Sequence, residues 1–455
     1  MPRDHFFDWR GFKFAAKVLV LCIIAGTLGR YGLMYAAQSR SASGPSLVLI
    51  QETRPAPGKS LSLTLSTSTS RHIINTLTIA DTVPPTGKFI AADLQSMVLT
   101  LYQEGVAIAK YPIRAKGEVR SPYQTSPGFY TVLKKESDHF NSIERIDLPW
   151  SIQFSGNYFI HGGPYGNDGA PVASSYAGGG IELSTDDARS VYEFTETGTN
   201  IFVYSPIRTT LSSLVLDAIP APPISATAYM VADVDTGDVF LEQNVEHSFS
   251  IASTTRLMTA LVANNAIMFD KKIAVAKETF FVGDLLYPLL MKSDNIIAKG
   301  LAQTHGTEGF VDWMNVTAKS LDMQSTRFVD AMGTSTENVS NANDLFRLAS
   351  YLAREKPFIL DIANTPSKEL IADSGNVRHI ENTVIEKGSS ISVVSVPVNG
   401  VERRAAVIVL NSENYAADAQ ALTDWFTQSA LQGTDIAGTA CLTCAIIPPY
   451  RKIQL

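Results

Sequence analysis

The chain has 455 residues, of which 45% are hydrophobic, and carries 44 acidic against 37 basic side chains for a formal net charge of -7. That balance argues against a general nucleic-acid partner, which needs a surplus of Lys and Arg to meet phosphates. Length and apolar content support two medium domains plus extras. No Gly-rich phosphate loop or metal-ligand cluster stands out, so no cofactor and no metal is implied.

Residues 1–37 read as an export segment. Arg3, Arg10, Lys13 and Lys17 precede an apolar stretch from Val18 to Gly29, which Arg30 interrupts and which resumes to Ala37. A core of about a dozen residues suits a signal-peptide h-region. The full run of about 20 residues is long enough to span a bilayer. Tyr35-Ala36-Ala37 is a fair cleavage site. The reading is an uncleaved single-pass anchor in the cytoplasmic membrane, with everything beyond it on the periplasmic or cell-wall side under the positive-inside bias.

Residues 38–87 are rich in Ser, Thr and Pro and read as a stalk, although Ser60 to Thr69 alternates enough for a strand. Residues 88–205 form the first domain. Ser96 to Ala107 looks like two strands joined at Gly105, followed by Ser126-Pro127-Gly128-Phe129-Tyr130-Thr131-Val132 and by Tyr158-Phe159-Ile160-His161-Gly162. Then come Ala177-Gly178-Gly179-Gly180-Ile181-Glu182-Leu183 and Gly198 to Tyr204.

This order resembles the L,D-transpeptidase catalytic domain, a cysteine acyltransferase of peptidoglycan on a β-rich fold. Laid on that family's pattern, His161 and Gly179 are retained. Gly178 stands where the base histidine belongs, Gly180 where the nucleophilic cysteine belongs, and Glu182 where an arginine belongs. A hydrogen side chain can be neither nucleophile nor base. The chain's 3 cysteines are Cys22, Cys441 and Cys444, all outside this domain. The resemblance therefore implies the fold with its L,D-transpeptidase chemistry lost. His161 is then an ordinary hydrogen-bonded histidine at a strand end.

Residues 206–225 read as a linker stiffened by Pro220, Pro222 and Pro223. A second domain over residues 226–430 opens with Ala228 to Phe240, which alternates around an Asp-Thr-Gly turn and reads as a hairpin. Ser253-Thr254-Thr255-Arg256 follows, then Leu285 to Asn295 ending in Ser293-Asp294-Asn295. Further on come Phe328-Val329-Asp330-Ala331-Met332-Gly333, Asn343-Asp344-Leu345, Lys387-Gly388-Ser389, the strand Ala405 to Leu410 and a helix containing Ala419 to Phe426. Each piece also has a plain structural reading: Ser253 and Thr254 are good N-caps, Ser293-Asp294-Asn295 is another cap, and Lys387 is a turn residue.

In this order the pieces resemble the D-alanyl-D-alanine carboxypeptidase family, with the α/β fold of penicillin-binding proteins and β-lactamases. The resemblance implies Ser253 as nucleophile in Ser-x-x-Lys, Ser293 and Asn295 as proton relay and substrate holder in Ser-x-Asn, and Lys387 as the cation of Lys-Thr-Gly. Arg256 replaces the lysine base. Guanidinium stays charged at ordinary pH and donates hydrogen bonds but accepts no proton. The third motif keeps a cation and a glycine and lacks the threonine between them.

The fold expected is thus multidomain: an N-terminal transmembrane helix, a β-rich L,D-transpeptidase-like domain, then an α/β penicillin-binding protein/β-lactamase-like domain. Residues 431–455 form a tail whose Cys441 and Cys444 could close a small disulfide in an oxidising space. The functional expectation is a membrane-anchored cell-wall protein, catalytically impaired, that binds peptidoglycan stem peptides or wall protein partners. The alternative is an active serine-type D-alanyl-D-alanine carboxypeptidase acting through Ser253, slowed by loss of a general base that is worth about 100- to 10,000-fold. A β-lactamase is a weaker option, because no deacylating glutamate can be assigned.

Overall fold

The computed structural model describes residues 78–172, 180–205, 213–216, 219–382 and 388–436. The expected anchor, most of the stalk, and the cysteines therefore lie outside the described residues, as do Gly178, Gly179 and Lys387. Among the described residues no helix is long and apolar enough to cross a membrane.

The first domain is a pair of packed sheets. A short helix α1 (Ile79–Thr82) leads into β1 (Lys88–Asp93), β2 (Val98–Gln103) and β3 (Val106–Pro112). The β2–β3 turn uses Glu104 and Gly105 at positive φ, as the Gly signal there predicts. β4 (Ala115–Lys116), β5 (Gly128–Thr131), β6 (Lys134–Asn141), β7 (Ile146–Ser155), β8 (Tyr158–His161), β9 (Tyr165–Gly166) and β10 (Gly180–Glu182) follow, then helix α2 (Thr185–Phe194) and β11 (Asn200–Tyr204). One sheet runs β3-β2-β1-β11-β5, the other β4-β10-β8-β7-β6 with β9 beside β7.

Strand parity explains the packing. Successive side chains of a strand face opposite ways, so Ile90, Ala92, Ile201 and Val203 enter the core shared with Ile152, Ile160 and Ile181 of the second sheet. Phe89, Ala91 and Phe202 face outward and are covered by Ile79, Val83 and neighbouring aromatics. Both faces of β1 and β11 are thus apolar, which is why they read as continuous hydrophobic runs. α2 begins where Ser184 Oγ accepts from the Asp187 amide, with Asp186 and Asp187 in its positive first turn.

The second domain is built on a four-stranded sheet, β14-β13-β22-β21. β13 (Ala228–Asp233) and β14 (Val239–Gln243) form the expected hairpin, with Gly237 at φ 79° in its turn. The remaining small strands are β12 (Ser213–Val215), β15 (Phe249–Ser250), β16 (Lys272–Val275), β17 (Glu278–Phe281), β18 (Val339–Ser340), β19 (Ser367–Ile371), β20 (Val377–Glu381) and β23 (Thr434–Ile436); β21 is Gly388–Val398 and β22 Val401–Ser412. The helices are α3 (Thr255–Ala266), α4 (Val282–Met291), α5 (Asn295–Gln303), α6 (Thr307–Ser320), α7 (Ala342–Glu355), α8 (Pro357–Ala363) and α9 (Tyr415–Gln432).

Parity again divides the work. Tyr229, Val231, Val407 and Val409 meet Leu422, Trp425 and Phe426 of α9 on one face. Ala228, Met230, Ala232, Ile408 and Leu410 face the helices α3 to α8 on the other. α3 is buried from Thr255 to Asn264 on all sides, so it is the axis of this helical layer. Within the segment read as a linker, Ser213–Val215 pairs with Thr434–Ile436, and Ile219 accepts a hydrogen bond from the Trp425 indole.

The two domains belong to one compact unit and share a polar interface. Its bonds include Arg120 to Asp361 at 2.7 Å, Gln124 to the Arg354 carbonyl at 3.0 Å, and Lys356 Nζ to the Tyr158 hydroxyl.

Candidate active site

The chain enters the serine motif through β15, paired with β18. It then turns through a 3-10 segment, Ala252–Thr254, before α3 begins. Ala252 holds φ 40°, a left-handed value that costs a non-glycine residue energy and marks a constrained turn. The capping expectation for Ser253 and Thr254 is not met. Thr254 Oγ1 bonds back to the Ile251 carbonyl, and neither side chain caps α3. Ser253 is half-buried, and among the described residues no hydrogen bond reaches its hydroxyl.

One helical turn on, Arg256 is buried at 6% exposure and its Nη2 donates to Asn295 Oδ1 at 2.5 Å. The first and second motifs thus meet through the guanidinium. Burial lowers the Arg256 pKa from its ordinary value, while the carboxylates of Asp330 and Asp294 pull the other way. Its buried Nε has no hydrogen-bond partner among the described residues. A cation so placed can orient the Asn295 amide or steady a negative charge, but it cannot take a proton from Ser253.

Asn295 is the first residue of α5, and Asp294 is its N-cap, accepting from the amides of Ile296 and Ile297 at 2.9 and 3.2 Å. The capping reading of this triplet therefore holds for Asp294. Ser293 sits at φ 53°, held in the bend that turns α4 into α5. Arg378 of β20 reaches Asp294 at 3.5 Å.

The back of the serine turn is braced by the Asp330–Gly333 turn. Asp330 accepts from the amides of Gly333 at 2.5 Å and Ser335 at 2.7 Å, and its pKa is lowered because these amide bonds outweigh its partial burial. A Cβ on Gly333 would lie 2.2 Å from the Ala252 carbonyl, so only glycine admits this approach. Thr259 donates to the Ala331 carbonyl at 2.7 Å, and Asn338 reaches Thr255 Oγ1 at 3.2 Å. On the open side β21 packs against the serine turn, with Ser389 Oγ 3.4 Å from the Ser250 carbonyl.

In the first domain His161 ends β8, fully buried, with Nδ1 2.8 Å from the Gly162 carbonyl. β10 runs parallel to β8 and pairs Gly180 with Phe159 and Glu182 with His161. A Cβ on Gly180 would lie 1.8 Å from the Phe159 carbonyl oxygen. Any side chain at this position would therefore meet the backbone of β8. Burial pushes the Glu182 carboxyl up to about 7, against the opposing charge of Arg114. Its buried Oε2 has no partner among the described residues.

Two features had no sequence signal of their own. Lys356 is 1% exposed, its Nζ lies against the Tyr158 ring and donates to the Tyr158 hydroxyl, and burial brings its pKa down to about 7. Asn157, in the β7–β8 turn, bonds to residues 264, 267 and 269 of the other domain.

The molecule is thus a two-sheet domain with a strand ending in His-Gly, followed by a sheet-and-helix domain with a serine on a helical turn. Both domains match known families. Residues 87–203 match the L,D-transpeptidase catalytic domain, and residues 217–278 and 270–394 match the D-alanyl-D-alanine carboxypeptidase family. The chain is therefore a tandem of an L,D-transpeptidase-like domain and a D-alanyl-D-alanine carboxypeptidase-like domain.

Among curated relatives, the D-alanyl-D-alanine endopeptidase of Pseudomonas aeruginosa is 34% identical over 164 residues, 32% of this chain and 53% of that protein. The D-alanyl-D-alanine endopeptidase of Escherichia coli is 32% identical over 163 residues, 32% of this chain and 52% of that protein. The chain spans about half the length of these curated relatives. Among solved structures, a D-alanyl-D-alanine carboxypeptidase from Mycobacterium tuberculosis shares 22% identity with a TM-score of 0.41, over 48% of this chain and 96% of that one.

Proposed function

We propose that this chain is a cell-wall protein that binds peptidoglycan stem peptides through its serine domain with little or no turnover, tethered to the membrane by residues 1–37. One observation carries the reading. The base position of the serine site holds a buried guanidinium that is already spent on Asn295 at 2.5 Å. Binding survives such a change. The second-motif amide and the edge of β21 are still available to hold an extended peptide backbone, as a sheet edge does for added strands. The names of the relatives, D-alanyl-D-alanine endopeptidases, supply the ligand class, peptides that contain D-alanyl-D-alanine. The tether rests on the basic flank and apolar run of the sequence, and the mass of the mature N-terminus tests it.

Fluorescent penicillin tests the site. The wild type is expected to remain unlabelled on the timescale of a working serine enzyme, since a missing general base slows attack by about 100- to 10,000-fold. The same protein is expected to be retained on purified sacculi. Arg256→Lys is expected to gain label, because the amine regains a neutral form and Ser253 stays on its braced turn. Rapid labelling of the wild type that disappears in Ser253→Ala would overturn this reading in favour of a working serine nucleophile.

A further inference from the structure

An α-helix leaves its last carbonyls without partners inside the helix, and when that end is buried something else must meet them. Two helices of the serine domain end at the domain interface. In both cases the carbonyls nearest the interface take donors from the other domain, although the Ala353 carbonyl of α7 is met within the serine domain by Arg404 at 2.9 Å.

At the end of α3, the helix that follows Ser253, the β7–β8 turn supplies the donors. Asn157 Nδ2 donates to the Asn264 carbonyl at 2.9 Å and the Ile267 carbonyl at 3.1 Å. The Gly156 amide donates to the Asn265 carbonyl at 2.7 Å, and Ser155 Oγ to the same carbonyl at 3.1 Å. Asn157 Oδ1 in turn accepts from the Phe269 amide at 2.7 Å, which fixes the chain as it leaves the helix. A Cβ on Gly156 would lie 2.9 Å from the carbonyls of both Asn264 and Asn265, so the approach is as close as a glycine permits. Asn157 itself is 6% exposed. At the end of α7 the pattern repeats: Gln124 Nε2 donates to the Arg354 carbonyl at 3.0 Å and Ser126 Oγ to the Glu355 carbonyl at 3.3 Å.

We propose that the L,D-transpeptidase-like domain works as a built-in cap for the serine domain, closing the C-terminal ends of α3 and α7 with Ser155, Gly156, Asn157, Gln124 and Ser126. This gives the first domain a task that needs no thiol and no imidazole. It holds whether or not Ser253 is ever acylated and whether or not wall peptides bind.

Hydrogen exchange on the full chain, read residue by residue, tests it. Asn157→Ala is expected to speed exchange of the last turn of α3 by about tenfold or more, the scale of one or two lost net hydrogen bonds, and to leave the last turn of α7 unchanged. Gln124→Ala is expected to do the reverse. Asn157→Asp keeps an acceptor for the Phe269 amide and loses the donor, so it is expected to protect that amide without restoring the end of α3. Ser155→Ala is the milder substitution should Asn157→Ala not fold. Calorimetry of the wild type is expected to show both domains melting in one transition. Unchanged exchange at the end of α3 in Asn157→Ala and Ser155→Ala would overturn the proposal. So would separate melting of residues 88–205 with α3 still protected.

Discussion

Gly180→Cys is expected to destabilise the first domain by about 3 kcal/mol or more, the upper range for overpacking a close-packed interior, and to gain no L,D-transpeptidase activity even when combined with Gly178→His. The reason is backbone proximity. A side chain at 180 would begin 1.8 Å from the Phe159 oxygen and 2.6 Å from its nitrogen, so β10 would have to leave β8. That movement would break the bonds that hold the Gly180 carbonyl, from Thr125 Oγ1 at 2.8 Å and the Gly117 amide at 3.1 Å. It would also drag Ile181, which is fully buried against Ile160, out of the core. Gly180→Ala separates the two effects, since alanine adds the Cβ without a thiol. Urea midpoints for both variants, with an assay for L,D-crosslinks, decide the matter. A folded Gly180→Cys within about 1 kcal/mol of wild type would show that the strands are not closed there.

The parts of this molecule that sequence made plain are those whose causes are local. Asp235-Thr236-Gly237 announces a turn because Gly237 must take a positive φ. The pattern over Ala228 to Phe240 announces a hairpin, which it is, but not that Ala228 to Asp233 is buried on both faces. Ser253 and Arg256 lie three apart, so one helical turn brings them to one side, and the second motif was identifiable as their neighbour by resemblance. The hidden parts depend on distant partners. Gly156-Asn157 reads as an ordinary hairpin turn, and nothing nearby says that its amide side chain closes a helix more than a hundred residues away. Lys356 before Pro357 reads as a solvated lysine ending a helix. Ser213–Val215 is too short to announce itself as a strand, since its partner is Thr434–Ile436. At Gly180 the resemblance points to a replaced cysteine, and nothing in the local sequence announces the close approach of β10 to Phe159.

Lys356→Met is expected to raise stability at neutral pH by several kcal/mol, because each unit by which burial depresses the amine's pKa is worth about 1.4 kcal/mol and methionine removes that penalty. Burial alone brings the Lys356 pKa from 10.5 down to about 7. Its depressed folded value means that stability from this group is complete above about 10.5, where the unfolded amine is also neutral, and is lost as pH falls toward about 7. Each pKa unit is worth about 1.4 kcal/mol, so the penalty below neutrality amounts to several kcal/mol. Glu182 and Glu355 act in the opposite sense. Burial raises both to about 7 from 4.5, so their contribution is complete below 4.5 and is lost as pH rises through about 7. These three groups together place a minimum of stability near neutral pH. Methionine at 356 leaves the Tyr158 hydroxyl its donation to the Gln124 carbonyl at 2.6 Å, so no buried phenol is orphaned. Urea unfolding at several pH values is expected to show wild-type stability climbing from about pH 7 toward pH 10, and Lys356→Met without that climb but with the loss between about pH 4.5 and 7 intact. An unchanged alkaline slope in the variant would mean that Lys356 stays charged at the interface, and that the polar contact with Tyr158 carries a full ammonium across it.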